Sequence, residues 1–217
     1  MKILITGASR GIGLALANFF AQTGHTVYKP TSKEFDFQNP EAPEACFQKY
    51  RDANVLINNA GICNHFDPAT DSAAGFEKIF RVNFFAPVDL SLRFAAHWKQ
   101  TGERGRIINM LSRVAKKGSV ESPHYAASKA ALLNFTHSMG AIYAPARILL
   151  FGISPSWVET DILTANAKDV DKARAQIPLQ RFLTPQEICT YARFLVEDPC
   201  EYLTGQTIEV NGASYFP

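Results

Sequence analysis

Cysteine is scarce and unpatterned in this chain of 217 residues: Cys46, Cys63, Cys189 and Cys200 form no C-x-x-C pair and keep no metal-ligand rhythm with the five histidines. That argues against a disulfide scaffold and against a zinc-type site, and leaves buried, reduced thiols as the expectation. Neither sign of charge is in excess. Lys and Arg number 22 against 20 Asp and Glu, a formal balance of +2 with no basic run, so neither nucleic acid nor a membrane surface is implied as a partner. No apolar run approaches the ~20 residues that span a bilayer. The opening Met1–Thr6 meets a glycine before a signal-peptide core can form, and a cytoplasmic protein is expected. Repeats, low-complexity tracts and linker-like runs are missing too, which makes residues 1–217 one domain, long enough to bury a full core.

What is present begins with the stretch from Gly105 to Leu133. Gly105–Ser112 reads as an apolar strand with polar ends, and Tyr125-Ala-Ala-Ser-Lys129 opens an alanine-rich helix. Tyr125 and Lys129 are four residues apart and therefore share a helix face. A tyrosine has a pKa of about 10, and a nearby ammonium is expected to lower it and make the phenol a general acid/base. Ser112, at the strand end, can hydrogen-bond a carbonyl oxygen. Tyrosine and lysine at this spacing are otherwise commonplace on solvated helices, so the rest of the chain decides.

Taken in order, Lys2–Ile5 is a short strand followed by Thr6-Gly-Ala-Ser-Arg-Gly-Ile-Gly13 and a helix with apolar Ile12, Ala15, Leu16, Phe19 and Phe20, capped by Gly24. Strand, glycine turn and helix form the context in which bare backbone approaches a pyrophosphate at a helix N-terminus. His25–Lys29 is the second strand, and only a few residues separate it from Glu34–Phe37. A parallel crossover needs a dozen or more residues, so the sheet is expected to stop at that edge, with no helix between 30 and 36. Pro40–Arg51 reads as a helix, Asn54–Asn58 as a strand running into Asn59-Ala60-Gly61, and Ala73–Lys99 as a long helix. Within it Pro87 cannot donate to the Asn83 carbonyl, which is left to bind water. Arg147–Gly152 is an apolar strand of the kind buried on both faces, leading into Ser154–Thr160. Leu163–Leu179 carries no strong core pattern. Thr184-Pro-Gln-Glu187 is a capping box opening a helix through Val196, and Leu203–Gly212 holds the last strand.

These segments, in this order, resemble the classical short-chain dehydrogenases/reductases, particularly 3-oxoacyl-ACP reductase-like members. The spacing of Gly7, Gly11 and Gly13, the Asn58-Asn59-Ala60-Gly61 run, Asn83, and Ser112, Tyr125 and Lys129 carry the resemblance along nearly the whole chain. It implies an α/β doubly wound parallel sheet, a Rossmann fold, which the alternation of strands and helices supports independently. It further implies that Ser9, Arg10 and the Ile12 backbone face a dinucleotide, and that Asp36 and Phe37 lie at its adenine. Asn59, Ala60 and Gly61 would line the adenosine side, while Pro155, Val158 and Thr160 would hold the nicotinamide carboxamide. Ser156 stands where the family has glycine, and Ala213 where a second glycine is frequent. Leu163–Leu179 falls at the family's substrate lid.

The function this implies is NAD(P)-dependent interconversion of a carbonyl and an alcohol. Ser112 polarises the oxygen, Tyr125 transfers the proton, Lys129 holds the ribose and Asn83 binds a water in the relay. The stretch Lys29-Pro-Thr-Ser32-Lys33 has no acid before Glu34, and with Arg10 in the glycine turn it points to NADP(H) over NAD(H) at the 2′ position. Phe84, Phe85, Val114 and Trp157 suggest a small or partly apolar carbonyl substrate. A homo-oligomer, dimer or tetramer, through helices around Phe76–Lys99 and Tyr125–Ala144 is usual for the family. The competing reading is a dinucleotide-binding redox sensor without turnover; epimerase or dehydratase chemistry lacks the C-terminal substrate domain of the extended relatives.

Overall fold

The computed structural model describes residues 1–69, 71–160, 170–198 and 200–216. Six parallel strands form one sheet: β1 (Lys2–Ile5), β2 (Thr26–Tyr28), β3 (Val55–Asn58), β4 (Arg106–Met110), β5 (Leu149–Pro155) and β6 (Thr207–Val210), in the order β2-β1-β3-β4-β5-β6. Helices α1 (Gly11–Gln22), α2 (Ala42–Tyr50), α3 (Ala73–Phe80), α4 (Ala86–Thr101), α5 (Val114–Lys117), α6 (Pro123–Tyr143), α7 (Val170–Ala175) and α8 (Pro185–Glu197) connect them.

The alternating strand period divides the apolar residues between two faces. Ile3, Ile5, Val55, Ile57, Ile108 and Phe151 pack with Leu16 and Phe20 of α1 and with Ile188 and Leu195 of α8. Leu4, Leu56, Ile107 and Leu150 pack on the other face with Cys46 of α2 and Leu90, Phe94 and Trp98 of α4. Both faces are covered, which explains why the central strands are apolar throughout.

The sheet ends at β2, as the short gap requires, and no helix lies between residues 30 and 36, where Glu34 and Phe35 instead donate to the Thr31 carbonyl. The expected single helix from Ala73 to Lys99 is corrected: α3 and α4 are separated by a π-helical turn over Arg81–Phe85, in which the Ala86 N–H reaches the Arg81 carbonyl. Pro87 near the start of α4 supplies the physical reason, since it has no N–H for a regular turn. The capping box of α8 forms in full, with Thr184 accepting from the Glu187 N–H and Glu187 accepting from the Thr184 N–H. Of the Leu163–Leu179 segment, 163–169 lie outside the described residues, and Val170–Ala175 is helical.

A polar chain is buried between the sheet and the second helical layer. Asn58 Nδ2 donates to Asn109 Oδ1 at 2.8 Å and to Ser91 Oγ at 3.0 Å, and Asn109 Nδ2 donates to Thr136 Oγ1 at 2.9 Å. It ties β3, β4, α4 and α6 into one register, which fixes α6 and the groups it carries.

Candidate active site

Strand order reverses between β1 and β3, so the loops that follow them diverge to opposite faces and open a crevice at the carboxyl ends of the strands. Here that crevice is a cavity of about 1350 Å³. Its floor is held by Thr6, whose Oγ1 accepts from the Asn59 and Ala60 N–H groups at 3.0 Å each, and by Asn59 Nδ2, which donates to the Thr6 and Gly7 carbonyls.

The glycine turn fits a dinucleotide pyrophosphate. Gly7 and Gly11 have φ of 66° and 55°, in the left-handed region, and a Cβ on Gly7 would stand 2.7 Å from the Ala60 Cα. Arg10 at the N-cap of α1 makes no side-chain cap, leaving the first N–H groups of the helix for an anion. Gly7, Ser9, Arg10, Gly11 and Ile12 line the cavity. Gly13 does not. A Cβ there would lie 2.3 Å from the Gly7 carbonyl oxygen, so Gly13 works beneath the turn as a packing residue.

At the adenosine end Ser32, Asp36 and Phe37 line the wall, joined by Thr31 and Phe35, and the Asp36 carboxylate accepts from the Gln38 N–H at 3.0 Å. Glu34 is absent from the lining; Lys49 and the Tyr50 hydroxyl hold its carboxylate, and Lys49 pulls its pKa down. Asn59, Ala60 and Gly61 form the central wall. Pro155, Val158 and Thr160 line the opposite end, where Thr160 Oγ1 donates to the Val158 carbonyl at 3.3 Å.

β4 and α6 bring Ser112, Tyr125 and Lys129 to the same cavity. Lys129 Nζ donates to the Met110 carbonyl at 2.7 Å and stands 5.8 Å from the Tyr125 ring centre. Burial pushes the Tyr125 phenol up and Cys63 adds to the rise, while a hydrogen bond with Ser112 draws it back. Burial also lowers the Lys129 ammonium to about 8. The expectation that the lysine would lower the tyrosine pKa is not met in this structure: burial sets the direction upward, and the downward pull comes from Ser112 rather than from Lys129.

Asn83 is fully buried behind the wall rather than on it. Its Oδ1 accepts from the Ile62 N–H at 2.9 Å, and its Nδ2 donates to the Ile62 carbonyl and to Ser128 Oγ. A Cβ on Gly61 would lie 3.4 Å from Asn83 Oδ1 and 3.7 Å from Lys129 Nζ, so asparagine and lysine border one small space over that glycine.

Ser156, despite its Cβ, is not among the residues at positive φ, and its N–H donates to the Val210 carbonyl at 3.0 Å. The turn needs no glycine there. Ala213 does have φ of 61°, a position a glycine would fill without strain. Val114 and Trp157 line the cavity, whereas Phe84 and Phe85 lie outside it, packed on each other at 5.3 Å. The sequence reading missed Arg113, Cys63 and Lys117 on the wall. Arg113 follows Ser112 directly, and only its burial marks it out.

A doubly wound sheet, a glycine cradle at its switch point and a Ser–Tyr–Lys wall define an NAD(P)-dependent oxidoreductase. The family model described as enoyl-(acyl carrier protein) reductase matches residues 31–213. The 3-oxoacyl-(acyl-carrier-protein) reductase of Aquifex aeolicus is 30% identical, with 98% of this chain and 96% of that protein covered. That of Vibrio cholerae is 31% identical with the same coverage. Among solved structures, the 3-ketoacyl-(acyl-carrier-protein) reductase of Brucella melitensis complexed with NADH superposes with a TM-score of 0.89 at 25% identity, covering 98% of this chain and 97% of that one. A 4-hydroxyisoleucine dehydrogenase complexed with NADH gives 0.90 at 26% identity, covering 97% of each. The chain belongs to the short-chain dehydrogenase/reductase family.

Proposed function

We propose that the protein reduces a carbonyl to an alcohol, or the reverse, with NADP(H) preferred over NAD(H). The observation that carries this reading is the meeting of Ser112, Tyr125 and Lys129 on the wall of the cavity that also holds the glycine cradle. A nicotinamide held beside Pro155, Val158 and Thr160 would supply or accept the hydride. Ser112 donates to the substrate oxygen and polarises it, and Tyr125 passes its phenolic proton to that oxygen as charge develops. A phenol kept protonated by burial suits the reducing direction at neutral pH. Lys129 holds the ribose and, through water near Asn83, returns a proton to Tyr125.

The preference for NADP(H) rests on charge. Thr31, Ser32 and Arg10 face the adenosine end, and the acid in that stretch, Glu34, is turned to Lys49 and Tyr50. A 2′-phosphate would meet hydroxyls and a planar guanidinium there without a repelling Glu34, while the other acid on that wall, Asp36, accepts from the Gln38 N–H.

A sensor without turnover would bind NADPH equally well. The two readings part in one assay, oxidation of NADPH with a panel of ketones, quinones and 3-oxoacyl thioesters. Turnover with any carbonyl class supports the enzyme; tight binding with no oxidation across the panel supports the sensor.

A further inference from the structure

The cavity holds a cation that the chemistry above does not use. Arg113 is only 6% exposed and lines the same wall as the adjoining Ser112 and as Tyr125. Among the described residues no carboxylate pairs with it, and its Nη1 is buried without a hydrogen-bond partner. Glu209 of β6 is ion-paired with Lys116 at 2.9 Å, though both its carboxylate oxygens are buried without a hydrogen-bond partner, and no ion pair joins it to Arg113. The guanidinium lies over the Trp157 ring at 5.3 Å, and Trp157 Nε1 is likewise buried and unpartnered.

Taking a guanidinium out of water without an anion is costly, and removing one partner of a buried charge pair is more costly than never burying it. A cation kept dry and stacked on the wall of a cavity gains most when an anion arrives. The stack on Trp157 fixes the plane of the fork, and a planar fork matches a carboxylate in two parallel hydrogen bonds. Lys117 and Lys172 on the cavity wall add a field of the same sign.

We propose that Arg113 and Trp157 form a carboxylate-binding subsite beside Ser112, and that the carbonyl compounds turned over here are oxo acids. This rests on the carbonyl–alcohol reading of the site and narrows its substrate class. A neutral acyl thioester offers nothing to Arg113, so the subsite sets an oxo acid apart from a 3-oxoacyl thioester as substrate.

Trp157 is a built-in reporter. The chain has two tryptophans, and Trp98 is fully buried in the core with its Nε1 bonded to the Ala53 carbonyl. Tryptophan emission is followed while pyruvate, acetoacetate or laevulinate is added, each beside its uncharged methyl ester, and NADPH oxidation is followed with the same compounds. At least one acid is expected to bind about ten-fold or more tightly than its ester. The Trp157→Phe variant loses the signal, Arg113→Gln loses the acid preference while still binding the ester, and Arg113→Lys keeps part of it. In turnover, Arg113→Gln lowers the acid-to-ester ratio of kcat/KM by a similar factor with the KM for NADPH unchanged. Equal binding of all three acids and their esters, or an undiminished preference in Arg113→Gln, overturns the subsite. Absence of NADPH oxidation with every compound strikes the carbonyl–alcohol reading instead, and the binding arm still decides the subsite.

Discussion

The two ionisable residues of the proposed relay are moved in opposite directions by the same cause. Burial raises the Tyr125 phenol and lowers the Lys129 ammonium to about 8, because both charged forms lose solvation. Tyr125 therefore stays protonated across neutral pH, and the lysine is the group that titrates within reach of an assay. The kcat/KM for carbonyl reduction should fall as pH rises through about 8; a profile flat to pH 10 removes Lys129 from the relay. Stability should run the other way. The folded-state pKa of Lys129 lies below its usual 10.5, so between these values the unfolded chain binds more protons and stability rises with pH. Urea denaturation at several pH values across that window should show the midpoint rising, and less so in Lys129→Met. At the adenosine end, Arg10→Ala should raise the KM for NADPH about ten-fold or more and leave that for NADH nearly unchanged, the loss of one charge-assisted contact. Equal kcat/KM for both cofactors in the unaltered protein defeats the NADP(H) preference.

At the scale of elements, the legible parts were those fixed by short local spacings. The glycine turn, the Asn58–Gly61 run and the four-residue step from Tyr125 to Lys129 each need a particular backbone, and a backbone need leaves a residue signature. The capping box of α8 was legible for the same reason. The π-helical turn over Arg81–Phe85 was not, because Pro87 signals only that a regular turn fails and not how the chain absorbs the failure. Burial was least legible of all: nothing in Ser112-Arg113-Val114 distinguishes a buried guanidinium from a solvated one, and Phe84 and Phe85, apolar and close to Asn83, still miss the cavity. Two glycine-type positions test the local geometry. Gly13→Ala forces a Cβ to within 2.3 Å of the Gly7 carbonyl oxygen and should cost about 1–3 kcal/mol while weakening NADPH binding. Ala213→Gly should stabilise the fold by about 0.5–1 kcal/mol, since a left-handed alanine costs roughly 1–2 kcal/mol and glycine's added chain entropy offsets only part. Thermal melts of both variants check these signs.

Across the whole molecule, the sheet is shortest at its β2 edge. β2 closes the sheet in three residues, and the switch point between β1 and β3 and the cavity over it lie inward of that edge. We propose that the molecule associates through exposed apolar groups on two of its helices. Phe85 and Leu92, in the π-helical turn and α4, and Ile142 of α6 are exposed, 46%, 39% and 61% respectively. Apolar groups on these two helices fit an interface between copies of the chain. Sedimentation should give a dimer or tetramer, with Ile142→Glu shifting it toward monomer; a monomer at micromolar concentration would count against that arrangement. Among the described residues, no helix is long and apolar enough to cross a membrane.

In the proposed reaction Tyr125 hands the proton to the substrate, with Ser112 polarising the oxygen and Lys129 replenishing the phenol. That role of Tyr125 is tested most directly by Tyr125→Phe, comparing kcat for carbonyl reduction with the Kd for NADPH in the same preparation. The variant removes one oxygen from a ring whose packing is otherwise kept, so NADPH should bind within about three-fold of the unaltered protein while kcat falls by about 10²–10⁴. Retention of more than a few per cent of kcat, with NADPH binding intact, would contradict the claim.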